Sequence, residues 1–353
     1  QYIILTLKDT TTLELLVAVS LIQILGYTLK ITNRMQRVIN SLYDVLEDLR
    51  LVLMFIPVLI ALIPGPGVVM LSAPLIEEST KNLVSPEKKS FINFWFRAAV
   101  QFCSPTSFAF IIAINMTNAS SQHLFFIQLF FALGMLLMGY LLELKKLPRI
   151  VNDEFDSKKQ RKSSGANSII HLLKNCSFLI LILILTVGFG IRVSLAVITA
   201  FILVIFEEKI PLSQLADIFK KGFSWKMFML ILGMMFFSTT IQESAIIDDI
   251  SSWWVGLGMP VELLLILLPL LIGLVIGNYA GAAAITFALL APMIQSYNLG
   301  IIPIAVIYSL SRIGCIFSPT NSSVILTVEY FRANLMKVYV KFAYMMPPVL
   351  IMI

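Results

Sequence analysis

The sequence has few charged residues and few of the groups that metal centres and active sites need. Charged residues make up 13% of the 353 residues, about half the share typical of soluble domains. The chain has only two His and three Cys, and it lacks the CxxC, HExxH, GxGD, GxSxG and P-loop motifs. This composition excludes a soluble enzyme, a disordered protein and a nucleic-acid-binding protein. We also expect no enzymatic activity, no metal centre of His or Cys, no organic cofactor and no ATP drive.

Long apolar runs are what the sequence has instead. Hydrophobic residues make up 58% of the chain and the mean hydropathy is +0.91, which is more apolar surface than a soluble protein of this size can bury. Lipid solvates such surface, and backbone in lipid must be helical or form a closed barrel. We therefore predict an all-α polytopic protein of the cytoplasmic membrane, in contact with the lipid bilayer. The net charge of +6 fits Lys and Arg on cytoplasmic loops, and we expect no nucleic-acid partner.

The order of the apolar runs repeats along the chain. Each half has a span, an amphipathic stretch, an apolar run with a Gly-rich interruption and a span broken at Ser-Pro-Thr. Residues 71–76 match 289–294, and the Ser-Pro-Thr at 104–106 matches that at 318–320, at nearly one offset. We predict a first repeat over 1–142, with a hairpin at about 50–78 and a broken helix at 91–118, and a second over 226–353, with a hairpin at about 260–294 and a broken helix at 299–327.

The length of the Gly-interrupted runs favours re-entrant hairpins. A run of about 30 residues is too long for one membrane span, and two full spans would need about 40 residues. A hairpin that enters and leaves on one side fits this length, with its tip at 64–67 or 277–281. Two short tilted spans joined by a turn are the alternative.

The Lys and Arg residues indicate the orientation. If the loop 143–167 is cytoplasmic, 21 of the 26 Lys and Arg residues fall on that side and two, Lys8 and Arg192, fall outside, while Arg97, Lys174 and Arg312 lie in spans. The segment 168–225 then holds two spans, 168–186 and 188–206, and a cytoplasmic segment. The chain crosses the membrane an odd number of times between the starts of the repeats, so the repeats are predicted to be inverted. Inverted repeats with broken helices place a binding site near the midplane.

The breaks and the hairpin tips supply candidate site residues. Each Pro removes a backbone N–H and frees carbonyl oxygens, while Ser, Thr and Asn add neutral oxygens that suit sodium, and half-helix amino termini suit an anion. A simple kink whose backbone is re-satisfied by Ser and Thr is the alternative. The predicted sodium ligands are Ser104, Thr106, Ser318, Thr320 and Asn321. The predicted substrate- and ion-binding residues are Pro64, Gly65, Gly67, Arg97, Ser104, Thr106, Ser107, Gly277, Asn278, Gly281, Arg312, Ser318, Thr320, Asn321 and Ser322.

Arg97 and Arg312 lie about two turns before the breaks. A charge inside the membrane is costly and needs an acidic partner or an anionic ligand. A structural ion pair is the alternative to a ligand site. Its candidate acids are Glu77, Glu78, Asp248, Asp249 and Glu329.

Four segments carry a resemblance to a known family: 63–78 (IPGPGVVMLSAPLIEE), 93–107 (NFWFRAAVQFCSPTS), 277–292 (GNYAGAAAITFALLAP) and 311–339. They resemble an uncharacterised integral-membrane branch of the ion transporter superfamily, which includes divalent-anion/sodium symporters, citrate carriers, arsenite carriers and gluconate permeases. The resemblance implies a homodimer in which a mobile transport domain moves as an elevator against a scaffold, with the site at the hairpin tips and breaks. Ser-Pro-Thr stands at both breaks where dicarboxylate members have Ser-Asn-Thr, which leaves substrate and coupling ion open.

Together these features predict a secondary transporter for a small anionic solute, coupled to sodium or protons. A channel is one alternative, but it needs a continuous polar lining, whereas the polar residues here cluster at the interruptions. An intramembrane enzyme is the other alternative.

Overall fold

A computed structural model describes residues 6–46, 48–62, 69–80, 83–148, 165–243 and 260–350. Nearly all of these residues are helical, and no β-strand occurs among them. Two short π-helical turns, Tyr140–Leu144 and Ile184–Gly188, directly follow the helices Ser121–Gly139 and Ser177–Leu183. The helices are α1 (Thr10–Ile31), α2 (Arg34–Val45), α3 (Leu49–Leu62), α4 (Val69–Thr80), α5 (Pro86–Cys103), α6 (Phe108–Thr117), α7 (Ser121–Gly139), α8 (Gly165–Asn175), α9 (Ser177–Leu183), α10 (Val193–Glu207), α11 (Leu212–Gly222), α12 (Trp225–Glu243), α13 (Val261–Ile276), α14 (Tyr279–Ser296), α15 (Ile301–Phe317), α16 (Ser322–Phe331) and α17 (Leu335–Leu350).

Several helices are long and apolar enough to cross a membrane. α8 and α9, bent against each other, together make one such segment. α7 leaves Phe126, Phe130, Leu133 and Leu137 more than half exposed on one face, as expected for a helix that contacts lipid. The predicted fold class, an all-α polytopic membrane protein, is therefore confirmed. The other spans are Thr12–Ile31, Pro86–Thr117, Ser121–Leu144 and Ile301–Phe331.

Both predicted helix breaks are present. α5 ends at Cys103 and α6 begins at Phe108, so the first break is 104–107 as predicted. The second break is 318–321, one residue shorter than predicted, because Ser322 already begins α16. Each break is a single turn closed by one backbone hydrogen bond, from Ser107 N to Ser104 O and from Asn321 N to Ser318 O. The Pro inside each turn has no N–H to continue the helix.

The two Gly-interrupted runs each form a pair of contacting helices, α3 with α4 and α13 with α14. The first predicted tip, with Pro64, Gly65 and Gly67, lies outside the described residues. The second tip was predicted at 277–281, but only Gly277 and Asn278 are non-helical. The Asn278 side chain accepts a hydrogen bond from Gly281 N at 2.9 Å and thereby caps α14. This cap lets the helix begin at Tyr279, which corrects the prediction.

The same packing pattern recurs in both halves. The first hairpin helix packs on the first part of the broken helix of its own half, α3 on α5 and α13 on α15. The second hairpin helix packs on the second part of the broken helix of the other half, α4 on α16 and α14 on α6. The halves therefore interlock around the two breaks, which is the arrangement expected of duplicated repeats.

The segment predicted as one span over 168–186 is bent by 64° between α8 and α9. The reason is the buried Arg34 of α2. Its guanidinium donates hydrogen bonds to the carbonyl oxygens of Lys174 and Asn175, at 2.7 and 3.0 Å. A continuous α-helix would use these carbonyls for its own bonds to residues 178 and 179, so the helix stops there. Leu179 N bonds to Cys176 O instead.

Candidate functional site

The second break and the tip of the second hairpin are joined by hydrogen bonds. The hydroxyls of Ser318 and Thr320 lie 2.8 Å apart, and Thr320 Oγ1 donates to Val275 O, near the end of α13, at 3.3 Å. Gly277 has a φ of +65°, and a Cβ there would lie 2.3 Å from Thr320 Oγ1. Only glycine fits this left-handed position against the break.

The first break makes the matching arrangement with its own hairpin. The hydroxyls of Ser104 and Thr106 lie 2.9 Å apart, and Thr106 Oγ1 donates to Leu62 O, at the end of α3, at 3.4 Å. Each Ser-Pro-Thr motif therefore attaches a broken helix to the first helix of its hairpin. These bonds occupy the oxygen atoms predicted to bind sodium, although each hydroxyl keeps acceptor capacity.

Asn321 has a structural role that the sequence did not indicate. Its Oδ1 caps α16 by accepting from Ser323 N and Val324 N, and its Nδ2 donates to Cys315 O at 2.8 Å. The side chain therefore ties the two parts of the second broken helix together. Both ends of the amide are in use in this structure, and the role of Asn321 as a sodium ligand stays a prediction.

Arg312 is the centre of the site. Its side chain is 1% exposed, and its Nη1 donates to Tyr308 Oη at 3.2 Å and to Ser107 Oγ of the first break at 3.5 Å. Nε and Nη2 have no hydrogen-bond partner within the described part of the chain. Arg312 thus links the broken helix of the second half to the break of the first half.

Aromatic rings surround this guanidinium. Its Cζ lies 4.3 Å from the ring centre of Tyr279, 4.9 Å from that of Phe102 and 5.4 Å from that of Tyr308. Cation–π contacts of this kind stabilise a buried guanidinium by about 2 kcal/mol or more when it is desolvated. The rings interact with the planar faces of the guanidinium but accept no hydrogen bond from its Nε and Nη2. The sequence did not single out these three residues, although Tyr279 follows the hairpin tip and Tyr308 is one helical turn before Arg312.

The acidic partners considered for Arg312 do not pair with it in the described residues. Glu77 lies 2.7 Å from Lys89, and Glu329 is exposed on α16. Asp248 and Asp249 lie outside the described residues. Among the described residues, no carboxylate lies within salt-bridge distance of Arg312.

Arg97 of α5 lies at the edge of the same cluster. It is 4% exposed, its Cζ lies 5.7 Å from the ring centre of Phe94, and its Nε has no partner in the described chain. The hydroxyl of Tyr279 is within electrostatic range of both Arg97 and Arg312. That hydroxyl is buried and is itself without a hydrogen-bond partner among the described residues. Two cations and an uncommitted donor therefore converge between the halves.

Three predicted residues are not part of this cluster. Asn278 and Ser322 are exposed, and Gly281 lines an open apolar groove of about 350 Å³ with Leu230 and Phe237. The described residues also hold no cluster of three or more His, Cys, Asp or Glu side chains placed to bind a metal ion. The chemistry that the cluster supports is the binding of an anion.

The chain belongs to the family described as "Protein of unknown function (DUF401)", whose model matches residues 1–353. A comparison with curated proteins found no match to this sequence.

Proposed function

We propose that this protein is a secondary transporter that carries a small anion across the cytoplasmic membrane. The observation that carries the proposal is Arg312, a fully buried guanidinium with two of its three nitrogens free and no acidic partner in the described chain. A buried charge of this kind costs several kcal/mol unless it is compensated. An anionic ligand is a compensating group that can also leave, as a transported solute must.

The geometry of the free N–H groups indicates the chemistry of the ligand. Nε–H and Nη2–H lie on one edge of the guanidinium and point the same way, which matches the two oxygens of a carboxylate. Aromatic rings cover the guanidinium, so the ligand would approach along this edge. We therefore propose a carboxylate or a similar small oxyanion as the substrate.

The packing supports an alternating-access mechanism. The cluster lies where two helix breaks meet a hairpin tip, and each hairpin is tied to its broken helix by Ser-Pro-Thr hydroxyls. We propose that these parts move together as the transport domain of an elevator, in a homodimer, driven by sodium or protons. A channel is the second candidate, and single-channel recording in a bilayer distinguishes the two.

The ion pairs support the sidedness assigned by the charge count. Arg34 with Glu207 and Lys341 with Glu143, at 2.6 and 2.5 Å, join residues of different helices that the count places in the cytoplasm. Arg192 pairs with Glu14 at 3.3 Å on the side assigned as external. In the first two pairs both residues lie in parts of the chain assigned to the cytoplasm, and Glu14 lies in the first turn of the predicted span 11–28, next to its external end.

Ligand-induced thermal stabilisation of the purified full chain tests the proposal. Carboxylates and inorganic oxyanions are screened first, with sodium and pH varied separately, because a bound ligand raises the melting temperature. Arg312→Lys should weaken the stabilisation by the best anion, since an ammonium cannot reproduce the two parallel bonds, and Arg312→Gln should abolish it.

The exposed Arg192 provides the matched control. Arg192→Gln should keep the full ligand-induced shift. A structural Arg312 would behave differently, because its variants would melt lower without ligand and yet keep the shift. An unchanged shift in Arg312→Gln contradicts the proposal.

A further inference from the structure

Buried polar atoms without a hydrogen-bond partner are concentrated in one region of the described structure. They are Ser90 Oγ, Asn93 Oδ1, Arg97 Nε, Tyr279 Oη, and Nε and Nη2 of Arg312. Three of these residues are on α5, and the other two are the centre of the anion cluster. The region therefore extends beyond the site described above.

The three α5 residues form a stripe on one face of the helix. Ser90, Asn93 and Arg97 are spaced by three and four residues, which places them above one another. Ser90 and Asn93 are both fully buried. The stripe faces α16, because Asn93 Nδ2 donates to Thr327 Oγ1 at 3.3 Å. It spans about 10 Å of helix.

One end of the stripe lies at the start of α5, beside charged residues, and the other lies at the cluster. Ser90 directly follows Lys88 and Lys89, which pair with Glu143 at 3.5 Å and with Glu77 at 2.7 Å. Arg97, at the other end, is within electrostatic range of Tyr279. The stripe thus connects the end of α5 assigned to the cytoplasm with the Arg312 cluster.

The buried serines of α15 that lie near the cluster differ from the stripe, because their hydroxyls have hydrogen-bond partners. On α15, Ser309 exchanges hydrogen bonds with Gln128 at 3.0 and 3.1 Å, and Ser311 accepts one from Thr286 at 3.4 Å. These side chains bond to one another. Among the described residues on the two helices, unpartnered buried polar side chains therefore lie along the α5 stripe and at Arg312, but not at Ser309 or Ser311.

Buried polar groups without a hydrogen-bond partner destabilise the protein, and a bound water molecule or solute can supply the missing partner. An unsatisfied buried polar group costs about 1–3 kcal/mol, and a buried water typically bonds to two to four such groups. We propose that the stripe of Ser90, Asn93 and Arg97 is a hydrated path for the anion between the cytoplasm and Arg312, with Arg97 as its attracting charge. This inference rests on the proposed function and its sidedness.

Cysteine accessibility tests the path directly. On a background with Cys103, Cys176 and Cys315 replaced by Ala, Ser90→Cys and Asn93→Cys are treated separately with impermeant thiosulfonate reagents. The matched control is Ile92→Cys, a buried apolar position on the same helix. We expect both stripe variants to react from the side of loop 143–167, roughly tenfold faster than the control, given the local enrichment that a charged cleft produces.

The charge of the reagent tests the role of Arg97. A sulfonate reagent should modify Asn93→Cys several-fold faster than a trimethylammonium reagent of similar size, because Arg97 attracts the anion. Adding Arg97→Gln should remove this preference. Equal rates for both reagents with Arg97 present would overturn its role, and rates equal to those of Ile92→Cys, or reaction only from the opposite side, would overturn the path.

The cysteine-labelling result can be interpreted independently of the thermal-shift test of the proposed function. Labelling requires neither transport nor a known substrate. If the stripe is labelled as expected while Arg312→Gln keeps the ligand shift, the path stands and the anion site at Arg312 falls. If the ligand shift is lost but the stripe is unreactive, the opposite holds.

Discussion

Replacing Gly314 by Ala should separate the two helices that carry the second half of the site. A Cβ at Gly314 would lie 2.2 Å from Leu270 O and 2.8 Å from Leu274 N of α13. Both are backbone atoms that no side-chain rotation can move. Ordinary contacts between heavy atoms need about 3.5 Å, so α13 and α15 would have to move apart by about 1 Å. Overpacking of this kind costs about 1–3 kcal/mol and occasionally more.

The consequence should reach the anion cluster. α15 carries Arg312, and α13 is followed by Gly277, where a Cβ would lie 2.3 Å from Thr320 Oγ1 and 2.6 Å from Ser318 Oγ. Gly314→Ala should therefore lower the melting temperature and also weaken the stabilisation by the best anion. Both quantities come from thermal unfolding of the purified protein with and without that anion.

Gly233→Ala is the matched control for this substitution. Gly233 is also in a helix, but a Cβ there has nothing within 4 Å, and Ala is favoured over Gly in a helix by up to about 1 kcal/mol. This variant should melt at or slightly above the wild-type temperature. Equal melting of Gly314→Ala and Gly233→Ala would refute the close contact between α13 and α15.

Two further predictions concern the breaks and the topology. Thr106→Val and Thr320→Val each remove a hydroxyl that bonds a broken helix to its hairpin, a hydrogen bond worth about 0.5–1.5 kcal/mol. Uptake of the best anion into proteoliposomes should therefore fall while expression persists, and the exposed Thr10→Val should change neither quantity. Normal uptake by both break variants would mean that the Ser-Pro-Thr motifs are simple kinks. Single cysteines at Ser157 and Ser252, on the cysteine-free background, should react with an impermeant reagent from opposite sides of the membrane, and reaction from the same side would contradict inverted repeats.

Features that depend on local chemistry could be predicted from the sequence. The first break was located to the residue, because Pro105 has no backbone N–H to donate and the apolar runs on either side must stay helical. The spans predicted at 11–28 and 121–142 correspond to Thr12–Ile31 and Ser121–Leu144, because length and hydropathy also act locally. In these cases the residues that determine the structure are close together in the chain.

Features that depend on distant residues could not be predicted. The bend at Cys176 arises because Arg34, about 140 residues earlier, takes the carbonyls that the helix would use. The tip at 277–281 looked like a five-residue loop, but the side chain of Asn278 caps α14 within it. The rings around Arg312 come from three separate helices, and no pattern in the chain indicates that they meet.

The positions of the two arginines explain how a duplicated framework can hold a single anion. The hydroxyl pairs at the two breaks repeat with nearly equal distances, 2.9 and 2.8 Å. Arg97, however, precedes Ser104 by seven residues, whereas Arg312 precedes Ser318 by six. One residue rotates a helical side chain by about 100°, so the two guanidiniums cannot occupy equivalent places. Arg312 reaches across to Ser107 of the other half, while Arg97 remains beside Phe94 of its own helix. The breaks and hairpins of the two halves are thus alike, whereas the offset of one residue makes the charge between them asymmetric. Under the proposed function, Arg312 alone therefore presents its free guanidinium edge to the anion.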